Sequence, residues 1–138
     1  MVDYPQMLHT VLDTPNAREL ADFYRHLLGF HYRPGDEPPT DADADDNPDW
    51  LVLTDDAGNH KLAFQQVDEL KRTTWPKHEI PMQLHVDYTV PTIEELQRQR
   101  ARAESLGATI LFDRSDDKTE PLYVFADLAG HPFCIFVA

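Results

Sequence analysis

The chain reads as one unit written twice, and this repeat limits its possible folds more than any other feature. Asp55-Asp-Ala-Gly-Asn-His-Lys-Leu-Ala-Phe64 lies against Asp127-Leu-Ala-Gly-His-Pro-Phe-Cys-Ile135, with Asn59 as one extra residue. The helix endings Leu27-Leu28-Gly29 and Ser105-Leu106-Gly107 form a second match. A third is the pair of strand-like stretches Met7-Leu-His-Thr-Val-Leu-Asp13 and Met82-Gln-Leu-His-Val-Asp-Tyr-Thr-Val90, each with a central histidine. Three matches in one order predict a structural unit that was copied.

In the first copy, residues 6–13 are expected to form a strand. Asn16 is placed to cap a helix, with Glu19 three residues on as its capping-box partner, and Thr14 with Pro15 is the competing start. Ala17, Leu20, Ala21, Tyr24, Leu27 and Leu28 recur at helical spacing, and Gly29 supplies the left-handed stop. Short strands are expected at residues 30–33, 50–54 and 61–67, with a turn over 55–59. Residues 68–80 carry Pro76 and read as a linker, because proline cannot join a regular ladder.

The second copy repeats the order. After the strand 82–90, Thr92 caps a helix with Glu95 in the capping-box position, and Gly107 ends it. Ile93, Leu96, Ala103 and Leu106 are expected to face inward. Strands follow at 108–113, 121–126 and 131–137. Each half therefore reads β-α-β-β-β, with modules at 4–67 and 81–138. Alternation along the strand 82–90 sets His85 and Asp87 on one face and Leu84, Val86 and Tyr88 on the other. Polar groups on an inner face point to a wet cavity.

Length and composition fit this. With 138 residues, 41% of them hydrophobic, the chain can build one globular domain. The longest apolar runs are too short to span a bilayer, and the first residues lack the charged and apolar parts of a signal peptide. The single cysteine, Cys134, forms no internal disulfide, and a reducing, cytoplasmic home is expected. A net charge of −13 argues against nucleic acid or anionic membranes as partners. Part of that charge sits in residues 34–49, where Asp36, Glu37, Asp41, Asp43, Asp45, Asp46 and Asp49 occur with four prolines and no base. This stretch lacks the fixed oxygen spacing around a glycine turn that calcium loops need, and it reads as a flexible solvated loop.

Two such modules with this punctuation resemble the vicinal oxygen chelate superfamily of glyoxalase I, bleomycin-resistance proteins and extradiol dioxygenases. The carriers are His9-Thr-Val-Leu-Asp-Thr-Pro-Asn16, Ala21-Asp-Phe-Tyr-Arg-His-Leu-Leu-Gly-Phe30, Leu84-His85, Ser105-Leu-Gly-Ala108 and Asp127-Leu-Ala-Gly-His131. The chain is most similar to actinobacterial glyoxalase-like proteins with Leu-Ala-Phe-Gln and Gly-His-Pro-Phe-Cys segments. The resemblance implies an α+β fold in which two β-α-β-β-β modules form an incomplete barrel around a cavity. It also implies a homodimer.

In metal-using relatives each module gives one ligand from its first strand and a glutamate from its last. Those positions fall here on His9 and His85, and on Ala63 and Cys134. The two glutamates are therefore missing. A metal set of His9, His85 and Cys134 can still be assembled for a divalent ion such as zinc, iron, nickel or manganese. His85 and Asp87 are the acid–base candidates. His9, Trp50, Gln65, Tyr123 and Phe125 are the expected ligand-binding residues. His26, His60 and His78 read as surface groups, and His131 as structural. The expected function is binding of a small, partly aromatic or cationic molecule without the usual metal centre. The alternative is a divalent-metal-dependent lyase, isomerase or dioxygenase using His9 and His85.

Overall fold

The computed structural model describes residues 3–138 and divides into two compact units, one running to Glu69 and the other from Leu70. The first contains β1 (Thr10–Thr14), α1 (Ala17–Leu28), β2 (His31–Tyr32), β3 (Trp50–Thr54) and β4 (His60–Gln66). The second contains β5 (Val86–Val90), α2 (Ile93–Ser105), β6 (Thr109–Arg114), β7 (Leu122–Ala126) and β8 (Pro132–Val137). The sheet orders are β1-β4-β3-β2 and β5-β8-β7-β6. In each, the first strand runs parallel to the last and the other pairs are antiparallel. The expected α+β class, with β-α-β-β-β written twice, is what the chain adopts.

Local chemistry explains the helices. The Asn16 side chain accepts from the Glu19 backbone N–H at 3.1 Å, and Gly29 closes α1 at a φ of 71°. Gln66 steadies the same end: its carbonyl accepts from the Ala17 N–H at 2.8 Å and its amide donates to the Pro15 carbonyl. Thr92 caps α2 by accepting from the Glu95 N–H at 3.2 Å. α1 buries Leu20, Ala21, Phe23, Tyr24 and Leu27. Tyr24 lies 5.9 Å from Phe64, which shares one sheet face with Leu51, Leu53 and Leu62. Each sheet thus has one face packed under its helix and one helix-free face.

The strands are shorter than the alternation suggests, because pairing has to be shared with a neighbour. β1 starts at Thr10 rather than at residue 6, and β5 at Val86 rather than at 82. In both modules the parallel ladder begins immediately after the histidine, His9 or His85. In β4 the register jumps: Leu53 pairs with Leu62, but Thr54 pairs with His60, leaving Lys61 as the extra residue of a bulge. The two turns themselves match in length, with Asp55 N–H donating to the Asn59 carbonyl at 3.0 Å and Asp127 N–H to the His131 carbonyl at 2.9 Å. The extra residue of the repeat is therefore Lys61, two places after Asn59.

Residues 33–49 contain no helix or strand. The acidic stretch is nevertheless tied down at two points. Arg18 of α1 donates to both Asp46 carboxylate oxygens at 2.7 and 3.0 Å and to the Asp36 carbonyl at 2.7 Å, while Asp36 accepts from the Val52 N–H at 2.9 Å. Because Asn16→Ala removes the side-chain acceptor of the Glu19 N–H, it should lower unfolding free energy by about 1 kcal/mol. Denaturant unfolding checks this: the midpoint falls while the slope is unchanged.

Candidate functional site

Register decides which side chains meet on the helix-free faces. In the second sheet Asp87 pairs with Cys134, Cys134 with Val124, and Val124 with Phe112. Directly paired residues project from the same face, so these four form a row across all four strands. His85 stands two residues before Asp87, and its Nε2 lies 3.3 Å from Asp87 Oδ1. Among the described residues, His85, Asp87 and Cys134 are the set whose ligand-type atoms come together, all within 4.8 Å of one another. The imidazole and the carboxylate are half-exposed, at 43% and 53% of their side-chain surface.

The chemistry of this cluster follows from its surroundings. Burial pushes the Cys134 thiol up to about 12, and the Asp87 carboxylate that accepts its hydrogen bond adds to the rise. The sulfur is therefore a protonated donor at neutral pH, not a nucleophile. Asp87 sits between two partners, the thiol and the imidazole. With a proton on Nε2 facing Asp87, the His85 atom left for an incoming molecule is Nδ1.

His85, Asp87 and Cys134 also form a set that could hold a metal ion, with Asp87 where the sequence suggested His9. Imidazole, carboxylate and thiol together suit zinc with an open fourth position, while the sulfur is a poor match for manganese. Binding would expel the thiol proton, since only the thiolate ligates. The equivalent row of the first sheet offers no such set: Val11, Ala63 and Val52 occupy it, all apolar.

In the first unit, His9 and Trp50 do come together, with ring centres 6.0 Å apart. His9 also meets His60, Nδ1 to Nδ1 at 3.3 Å, which sequence reasoning placed on the surface. Partial burial lowers the His9 pKa, followed by the neighbouring charges of His60 and Arg33. Gln65 is exposed, in register with Trp50 and on the Ala63 face. Tyr123 and Phe125 lie on the other side of their sheet. The Tyr123 hydroxyl donates to Gln97 at 2.9 Å and accepts from Arg100 at 3.2 Å, both on α2. Phe125 is fully buried with its ring centre 5.1 Å from that of Phe133. Both rings are spent on the core, which leaves no surface for a ligand. Alternation alone could not distinguish the two faces, because every residue of β7 is buried.

If Asp87 helps to hold the thiol protonated, alkylation of Cys134 in the folded protein should be far slower at about pH 8 than for a free thiol, whose ordinary pKa is near 8.5. Asp87→Asn should lower the thiol pKa and speed the reaction at the same pH. A rate–pH profile with a thiol alkylating reagent measures both.

Residues 9–136 match a family described as a glyoxalase-like domain. No curated protein matches the chain. A glyoxalase/bleomycin resistance protein/dioxygenase family enzyme from Burkholderia phytofirmans superimposes with a TM-score of 0.68 at 15% identity, over 94% of this chain and 96% of that one. A mutant of the fosfomycin resistance protein from Listeria monocytogenes, complexed with Mn(II) and a dihydroxypropylphosphonic acid, gives 0.67 at 16% identity, over 100% and 94%. A hypothetical protein from S. aureus gives 0.64 at 17%, over 96% and 97%. These likenesses share the fold, and the domain match covers nearly the whole sequence. The chain belongs to the glyoxalase-like domain family.

Proposed function

We propose that the chain binds a small, partly aromatic or cationic molecule, and that His85, Asp87 and Cys134 form the polar part of its site. The observation that carries this reading is the row set by pairing register, which holds a half-exposed carboxylate between an imidazole and a neutral thiol. A cationic group would be drawn first by the overall charge of −13 and then held at Asp87. An exposed ring in the same row of the second sheet, Phe112 at 44%, supports an aromatic component. In this reading the protein acts without the two-glutamate metal centre, as a homodimer in the cytoplasm. Among the described residues no helix is long and apolar enough to cross a membrane.

The same cluster also lends itself to proton transfer. His85 Nδ1 would take a proton from a bound molecule, and Asp87 would stabilise the resulting charge. A second reading, a divalent-metal-dependent lyase, isomerase or dioxygenase, is favoured by the three ligand-type atoms within 4.8 Å. His85, Asp87 and Cys134 would then hold a zinc-class ion, which would supply Lewis acidity. The Listeria relative carries Mn(II) instead.

Thermal unfolding with paired probes tests the binding reading. Aromatic amines that are cationic at pH 7 should raise the melting temperature of the wild type, as ligands that bind the native state must. A ligand at about 100 times its Kd adds roughly 2.7 kcal/mol, and Asp87→Asn should remove most of that gain. Stabilisation by the matching aromatic carboxylates, or an undiminished effect in Asp87→Asn, would contradict it.

A further inference from the structure

The first unit holds a feature that its duplicate lacks. His9 and His60 lie in parallel planes, 2° apart, with ring centres 5.4 Å apart and Nδ1 atoms 3.3 Å apart. Parallel rings so widely separated can bring two ring atoms so close only if both atoms point along the line between the centres. That line must then lie near both ring planes. The imidazoles are side by side and joined edge to edge, not stacked face to face.

The turn and its bulge set up this pair. His60 pairs with Thr54, which shares a face with Val52 and Trp50, and so lies on the helix-free face beside His9. The bulge absorbs Lys61, so that Leu62 and Phe64 still point toward α1. In the second copy the turn leads straight into Pro132, paired with Ala126, and no ring stands there to meet His85. His85 is met instead by Asp87.

We infer that His60 is a positioning residue for His9: it occupies Nδ1 of His9 and so makes Nε2 the single His9 ring atom offered to a ligand. The inference rests on the reading that the chain binds a small molecule. A neutral imidazole carries one ring proton, so only one member of the pair can donate across the Nδ1–Nδ1 line. The donor ring keeps a bare Nε2, and the acceptor ring carries its proton on Nε2. The two tautomers are therefore opposite and locked together. Switching them moves one proton across the line, while one Nε2 gains a proton and the other loses one, with no net change. The His9–Trp50 contact holds the same ring from another side.

Long-range proton–nitrogen correlation spectra of the full chain test this without any ligand, so the tautomer claim and the binding reading can fail separately. The spectra are recorded at about pH 8, above the ordinary imidazole range. The wild type should show one of the two with its proton on Nδ1 and the other with its proton on Nε2. His60→Ala should release His9 to the tautomer mixture of a free imidazole, and His9→Ala should do the same to His60. Matching tautomers on the two rings of the wild type would overturn the inference, as would a His9 signature unchanged in a folded His60→Ala variant. The wild-type pattern decides alone if that variant does not fold.

Discussion

The parallel pairing of the first strand with the last in each module is the constraint on which the rest depends. It fixes which residues of two distant segments share a face, and a shift of one residue would turn every side chain over. In the second module it sets Asp87 against Cys134, and in the first it sets Val11 against Ala63. One backbone arrangement therefore carries a polar cluster in one copy and an apolar floor in the other. The copies kept their architecture and diverged in chemistry. The position that holds Pro132 in the second copy holds His60 in the first, and this widens the difference by setting a second imidazole beside His9.

What could be read from sequence was what local chemistry determines. Both helix starts follow from capping side chains within three residues, and Gly29 from its freedom at positive φ, so Asn16, Thr92 and Gly29 were legible without a structure. The β-α-β-β-β order was legible because the repeat states it twice. Strand limits were not, since they depend on the partner: β1 starts only after His9 and β5 only after His85.

The candidate site was partly legible for the same reason. His85, Asp87 and Cys134 could each be named, the first two by alternation within one strand and the third by the resemblance. That the three converge depends on the register between β5 and β8, which no local pattern encodes. His60 was missed because the repeat shows one surplus residue without showing where the ladder absorbs it. The faces of Tyr123 and Phe125 were not legible, because β7 is buried throughout and offers no polar face.

The account's central claim is that the Asp87-centred cluster is complete in itself, with thiol and imidazole both turned to the carboxylate, and meets its ligand directly. Elemental analysis of protein purified without chelators tests this most directly. The account predicts metal well below one ion per chain, with no change in Cys134→Ser. One tightly held zinc, iron, nickel or manganese ion per chain, lost in Cys134→Ser, would contradict it.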